Sequence, residues 1–445
     1  MSNSERAEKL RSLIRLLTDA SEVVIKELET ETAAPSVDKV PSAELFEARR
    51  RVLGACGMVV DLVHDAPLRL TEVVASFFTA KALHIAVRAR VADILASGGP
   101  DGVDIKVVGA QTGIDASKLA KILRSLCNIH IFAEVKRYHF ANTPTSQHLV
   151  GNEELRNWLL LQSTEPKTAA AEKLPTVLFD PVKTHSISPQ EAAFQEAYGT
   201  NLTAWDWLEE KIAQPDGSLQ ARPEYEIMLA GMVASDQVEA SASYVDYPWA
   251  LLGTRTIIDV GGGVGGMSLH LAKRYPDLQF VVQDRESTIK QAEAFWKKEL
   301  PSALKAQRVK FMTHDFFTKQ PIEGAEIYLM RYILHDWPDD ECVVILSRLR
   351  DAMKRDSLLL IADHVIHTTD GSPKLKAAPP PLLPNYGRAQ LFPGMRVLSM
   401  LALFNGIERT PEELTALAER AGLKVTKVWE CRGLTCISEL RRNDY

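Results

Sequence analysis

Five glycines in six residues, Gly261, Gly262, Gly263, Gly265 and Gly266, lie between two apolar runs and constrain this chain more than any other stretch. The run Thr256–Val260 before them is short and β-branched, as a buried parallel strand is. After them Met267, Leu269, Leu271 and Ala272 recur at helical spacing until Tyr275-Pro276-Asp277 closes the helix. Phe280-Val281-Val282 predicts a second strand that runs into Asp284. Glycines let a backbone turn sharply against a ligand, and the helix that follows offers unpaired N–H groups. An acid at the end of the second strand stands where a doubly wound sheet holds ribose hydroxyls. The unit therefore predicts a nucleoside cofactor. Asp259, at the end of the first strand, stands where a dinucleotide site keeps an apolar residue, which points away from nicotinamide cofactors.

With 445 residues the chain has room for two or three domains, and a net charge of −6 argues against a nucleic-acid binder. The five cysteines, Cys56, Cys127, Cys342, Cys431 and Cys436, show neither CxxC spacing nor histidine partners. They read as reduced thiols, with no metal site. The charged N-terminus lacks a signal-peptide core and no apolar run reaches membrane-spanning length, so the expectation is a soluble, cytoplasmic protein without membrane contact.

Four regions follow in order. Residues 1–75 predict two amphipathic helices, the first carrying Leu10, Leu13, Ile14, Leu17, Val24 and Leu28 on one face, the second running from Leu45 to Val63. A core-poor linker, Thr30–Pro41, separates them; as packing faces or as a partner-binding extension, these helices fit dimer formation. Residues 76–150 predict three helices, near Phe77–Ala96, Asp104–Thr112 and Asp115–Leu126, then a hairpin around Lys136-Arg137, a winged-helix pattern. Lys118, Lys121 and Arg124 allow DNA binding there, against the overall acidity. Residues 151–250 predict a mainly helical connector with helices over Phe194–Lys211 and Tyr225–Tyr244; Met228 and Met232 suit an adaptable apolar acceptor pocket. Residues 251–445 alternate strand and helix: strands end at Asp315, at Arg331 and at Asp363, helices span Ser287–Leu300, Asp339–Met353 and Pro411–Ala421, and Val425–Glu430 with Leu434–Leu440 predicts an antiparallel edge pair. Residues 367–394 form a Pro-rich insertion without periodicity, either a solvated loop or a lid at the acceptor entrance.

The fold class is thus α/β, a Rossmann-like doubly wound sheet with antiparallel C-terminal strands and an N-terminal helical, winged-helix-like domain. In such a sheet the ligand crevice lies at the C-terminal strand ends. That gathers Gly261, Asp284, Asp315, the Arg331–Trp337 segment and Asp363. His335 at a strand end beside Asp336 and Trp337 reads as a general base, with Asp363 placed to hold its ring. No activated serine or cysteine appears. One base and one nucleoside cofactor suffice for methyl transfer from a sulfonium.

These motifs, DVGGG, Asp284, His314-Asp315-Phe316-Phe317, Leu334-His335-Asp336-Trp337 and Ile407-Glu408-Arg409-Thr410, resemble the S-adenosylmethionine-dependent O-methyltransferases of the caffeate/isoflavone type. The nearest resemblance is to the fungal branch acting on phenolic and polyketide secondary metabolites, and it runs from about residue 76 to the C-terminus. It implies S-adenosyl-L-methionine as cofactor, a phenolic acceptor, and a homodimer whose winged helix serves dimerisation. It further implies Gly261, Gly262 and Gly263 at the methionine end of the cofactor, and Asp284 with Arg285 at the ribose. Asp315 and Phe316 would lie at adenine, and Arg331 near the cofactor. His335 is implied as base, with Glu408 and Asp363 (Glu in plant members) as flanking carboxylates and Asp336 and Trp337 at the acceptor. Alternatives are a pericyclase-like enzyme that binds S-adenosylmethionine without methyl transfer, a metabolite-sensing winged-helix regulator and a nicotinamide oxidoreductase.

Overall fold

The computed structural model describes residues 2–30, 40–235 and 242–443. The linker expected at Thr30–Pro41 and the middle of the helix expected over Tyr225–Tyr244 lie largely outside the described residues. Two compact units emerge, each built from separated segments: Met1–Val63, Ala170–Ala204 and Glu239–Tyr445 form one, His64–Ala169 and Trp205–Val238 the other. Chain order and spatial grouping therefore differ. The N-terminal helices join the C-terminal sheet, and residues 151–250 are divided between both units.

The first unit opens with helices α1 (Asn3–Thr30) and α2 (Ala43–Val63). Its sheet has seven strands: β1 (Thr256–Val260), β2 (Gln279–Asp284), β3 (Val309–Thr313), β4 (Ile327–Arg331), β5 (Leu358–His364), β6 (Leu423–Glu430) and β7 (Thr435–Arg442). Their order across the sheet is β6-β7-β5-β4-β1-β2-β3. β7 runs antiparallel to its neighbours β5 and β6, and the other pairs are parallel. Ile257, Ile258 and Val260 in β1 and Ile327–Met330 in β4 are buried, as strands covered on both faces must be. The chain reverses its direction of winding between β1 and β4, so the ends of β1, β2, β4 and β5 open into one crevice.

Helices α3 (Gly266–Arg274), α4 (Asp339–Ala352), α5 (Leu391–Phe404) and α6 (Pro411–Arg420) follow in the same unit. Of these, α5 has no counterpart in the sequence reading. Pro393 and Gly394 in its first turn disguise it, yet proline is tolerated there because the first helical N–H groups have no intrahelical partner.

The Pro-rich insertion is packed rather than solvated. Ala378, Leu382 and Tyr386 pack with Leu13 of α1 and Ala55 of α2 in one apolar cluster. Gly54 matters here, because a Cβ at that position would stand 2.7 Å from the Tyr386 carbonyl oxygen. The Tyr386 ring is fully buried, lies under the Arg50 guanidinium at 3.6 Å, and its hydroxyl donates to Glu47 Oε1 at 2.9 Å. Lys376 Nζ pairs with the other Glu47 oxygen at 3.1 Å. On α1 the packed face runs through Leu13, Leu16 and Leu17, while Ile14 and Leu28, expected on the apolar face, are exposed. The extension thus braces its own chain's insertion.

In the second unit the first helix spans Ala66–Arg88, starting well before the expected Phe77, because Asp65 caps it by accepting from Leu68 N at 3.1 Å. By length and composition this helix is apolar enough to cross a membrane, which corrects the expectation that no such stretch exists. Leu70, Val74 and Phe78 on it are exposed. Helices Ile105–Thr112 and Ala116–Cys127 and the hairpin Phe132–Lys136 with His139–Asn142 follow, with Val103–Asp104 as a third strand. Arg124, one of the residues that allowed a DNA-binding reading, instead clamps Glu134 of the hairpin through Nε at 2.7 Å and Nη2 at 2.6 Å. The helix expected over Phe194–Lys211 straddles the boundary of the units and is broken by Gly199, in the left-handed conformation at the end of Ala193–Tyr198 of the first unit, before Ala204–Glu209 resumes. A hairpin, Lys211–Ala213 with Leu219–Ala221, follows.

Tyr386→Ala is expected to destabilise the first unit by about 3 kcal/mol or more, the loss typical of a deleted buried ring. Tyr386→Phe, which removes only the bond to Glu47, is expected to cost about 1 kcal/mol. Urea midpoints of the two variants check this; equal midpoints for both would show that the ring packing contributes nothing.

Candidate active site

The glycine loop turns on residues that only glycine suits. Gly261 and Gly263 have φ of +70° and +60°, and the position of a Gly263 Cβ is open space. Behind the loop, Asp259 is buried and accepts from Ser268 Oγ at 2.5 Å, so the acid that ends β1 supports the loop from beneath. Asp284 at the end of β2 accepts from Gly263 N and from Arg285 N, both at 2.8 Å. Burial nevertheless raises the Asp284 carboxyl above its usual range, against the pull of those N–H groups. Arg285 contributes its backbone here, and its side chain is exposed. A carboxylate held at a loop edge, beside a glycine with open space, fits a ribose and its neighbouring methionine chain.

Further round the crevice Asp315 is exposed and accepts from Phe317 N at 3.0 Å. The Phe316 ring stands within 3.4 Å of where a Gly261 Cβ would be. Trp337, expected at the acceptor, meets Phe316 and Phe317 edge-on at 6.2 and 4.8 Å. It belongs to the aromatic wall beside the glycine loop. Arg331 extends from β4 to the Tyr244 hydroxyl at 3.3 Å.

His335 lies in a short turn, Leu334–Asp336, and is buried. Its Nδ1 bonds Glu408 Oε1 at 2.9 Å, and its Nε2 is 3.3 Å from Asp336 Oδ1. Asp363 does not hold the ring, contrary to expectation. Its Oδ1 accepts from Tyr332 N at 2.8 Å, the shorter side chain being engaged by its neighbour's backbone. Tyr332 takes φ of +55°, and its ring stacks on His335 at 5.6 Å with a 10° tilt. Asp363 thus meets the His335 site by holding the Tyr332 backbone and by its charge.

The segment Gly406–Thr410 staples the turn. Ile407 N donates to the His335 carbonyl at 2.9 Å, and buried Arg409 donates to the carbonyls of Leu334 at 2.8 Å and Trp337 at 3.0 Å. A Cβ at Gly406 would lie 2.1 Å from the His335 carbonyl oxygen, so only glycine fits. Sequence reasoning found Glu408 but missed Tyr332, Gly406 and Arg396, whose Nε donates to Glu408 Oε1 at 2.7 Å. A helical reading of α5 would have flagged Arg396 as a charge on an apolar segment. Met228 and Met232 lie on helix Pro223–Ser235 of the other unit, the first buried and the second exposed.

Burial alone would depress His335, but the carboxylates of Glu408 and Asp336 outweigh it and push the imidazole up to about 9. Burial likewise raises Asp336, to about 6, against the pull of His335. Glu408 goes the other way: burial would raise it, but His335 and Arg396 hold it down at about 2.

A glycine loop, a strand-end acid and a buried, carboxylate-backed histidine in one crevice define a nucleoside-dependent group-transfer enzyme. The O-methyltransferase domain model matches residues 180–424. O-methyltransferase gedA of Aspergillus terreus is 44% identical, with 91% of this chain and 88% of that protein covered. O-methyltransferase tpcA of Aspergillus fumigatus is 41% identical over 97% of this chain and 96% of its own length. Among solved structures, the mitomycin 7-O-methyltransferase MmcR superposes with a TM-score of 0.66 at 25% identity, covering 85% of this chain and 98% of that one. The chain belongs to this O-methyltransferase family, and its cofactor is S-adenosylmethionine.

The linkage of the His335–Glu408 pair to stability has a definite sign. The histidine is raised from 6.5 to about 9, so its contribution is complete below its unfolded value and fades as pH rises through 9. Glu408 is lowered from 4.5 to about 2, so its contribution is present above its unfolded value and fades as pH falls toward 2. The stability lost in Glu408→Gln is therefore expected to be largest between about pH 5 and 6.5 and to shrink above about pH 9. Urea midpoints of wild type and variant across that range measure it; a constant difference would refute the linkage.

Proposed function

We propose that this enzyme methylates a hydroxyl of a phenolic acceptor of polyketide type, with His335 as general base. The observation that carries the reading is the buried Nδ1 bond to Glu408, which leaves Nε2 as the nitrogen for proton transfer. The family's activity on secondary metabolites supports the acceptor class, and the O-methyltransferase names of the two Aspergillus relatives support transfer to oxygen.

Gly261, Gly262 and Gly263 would hold the methionine portion of S-adenosylmethionine, Asp284 and the Arg285 backbone its ribose, and Asp315, Phe316 and Trp337 its adenine. Arg331 would stand beside it. Bound there, the cofactor supplies an electrophilic methyl group on a positively charged sulfur. In the proton step the acceptor O–H bond breaks, its proton passes to Nε2, and the oxygen keeps the electron pair. The step needs Nε2 free of a proton, and Asp336 beside it stabilises the imidazolium that results. A phenol titrates near 10 and an ordinary histidine near 6.5, a gap worth roughly 5 kcal/mol. With His335 pushed up to about 9, most of that gap closes. The consequence is that the neutral base is scarce at neutral pH and becomes abundant as pH rises, so the rate should climb toward about pH 9.

For assembly we infer a homodimer. Helix Ala66–Arg88 leaves Leu70, Val74 and Phe78 exposed, an apolar face suited to a second copy of a winged-helix-like unit. Light scattering of the Phe78→Glu variant is expected to show a monomer where wild type is a dimer, and a wild-type monomer would reject the inference.

His335→Ala is expected to lower kcat by about a hundredfold or more, while calorimetry still shows cofactor binding. Asp284→Ala is expected to weaken that binding by about tenfold, the loss of one charge-assisted bond. Raising pH should partly rescue His335→Ala, because the phenol then ionises unaided. Normal turnover by His335→Ala, or product formation by wild type without S-adenosylhomocysteine, would remove methyl transfer by this base and favour pericyclase-like chemistry.

A further inference from the structure

Glu408 Oε1 accepts two hydrogen bonds from two directions, one from His335 Nδ1 at 2.9 Å and one from Arg396 Nε at 2.7 Å. We propose that Arg396 is a positioning residue, which holds the Glu408 carboxylate in register with His335 and so governs proton exchange at the imidazole. The proposal rests on the reading of His335 as general base.

A terminal carboxylate rotates over a broad, shallow well, so one bond to Nδ1 fixes a point and leaves the plane undecided. A second donor, on a different element, decides the plane. Arg396 supplies it from α5, with its side chain 11% exposed and that of Glu408 fully buried. Among the described residues Glu408 Oε2 has no hydrogen-bond partner, and neither does Ser438 Oγ. Both residues line a cavity of about 10 Å³ behind the pair, room for about one water molecule. The guanidinium is located in turn by the Tyr332 ring, 5.1 Å from its centre, and that ring stacks on His335. α5 is tied down at its far end by Asn405, whose side chain donates to the Ser188 carbonyl at 2.8 Å.

Charge points the same way. Glu408 and Asp336 touch the imidazole, Asp363 adds a third carboxylate from β5 with His364 beside it, and Arg396 is the cation that opposes them from α5. Without it the imidazolium would be held more tightly and the neutral base would be rarer still.

The test uses the full chain. In R396Q, kcat near neutral pH is expected to fall by about tenfold or more with the acceptor KM little changed. The rising limb of the pH–rate profile is expected to move up by about one pH unit. NMR of histidine-labelled protein, with His335 assigned from the H335Q variant, should show the same upward move in its titration without any acceptor present. An unmoved titration, or a wild-type rate, overturns the role. Should R396Q lose S-adenosylhomocysteine binding and with it the fold, R396K serves, since it keeps the charge but not the in-plane N–H. Its kcat is then expected to fall by about threefold or more, and a wild-type rate overturns the proposal. If wild type methylates no phenolic acceptor, the base reading fails by itself, and the NMR titration still decides whether Arg396 controls His335.

Discussion

A carboxylate removed from water must be paired, and Glu408 is the carboxylate on which this structure turns. Its side chain is fully buried, and stripping an unpaired ion of solvent costs several kcal/mol. His335 and Arg396 meet the need together by donating to one oxygen. The reciprocal effect is on the histidine, which burial alone would make a weaker base and which the surrounding carboxylates make a stronger one. A base of ordinary strength would face a phenol proton steeply uphill. The same pairing that satisfies the fold therefore raises the imidazole, which is the direction the proposed deprotonation of a phenol requires.

The sheet makes that pairing coincide with a cofactor crevice. Because the winding reverses between β1 and β4, the glycine loop, Asp284 and the His335 turn leave adjacent strands at the same edge. Two glycines serve this arrangement for different reasons: Gly263 takes a positive φ beside Asp284 with open space before it, and Gly406 lies against the His335 carbonyl, where a Cβ has no room. Asp259 and Asp363 have supporting parts, the first under the loop through Ser268, the second through the backbone of Tyr332.

The N-terminal helices enter the same network from a distance. α1 and α2 hold the insertion through Tyr386, Glu47 and Arg50, and the insertion leads directly into α5, which carries Arg396. A long irregular segment inside a compact unit needs such a brace, since its backbone has no ladder of its own.

Local signals were enough to reveal the glycine loop, the alternation of strands and helices, the edge pair β6–β7, Asp284 and His335. Each depends on periodicity, on glycine's conformational freedom or on the rule that strand ends face the crevice, and all three are properties of short segments. Tertiary structure alone decided the partners. That Glu408 rather than Asp363 holds the imidazole depends on how far each side chain reaches from its own backbone, and residues 335 and 408 are brought together only by packing. Trp337 lies with Phe316 and Phe317 because a turn stapled by Arg409 aims it there. The insertion's order comes from an apolar face more than three hundred residues earlier in the chain, which no local pattern encodes.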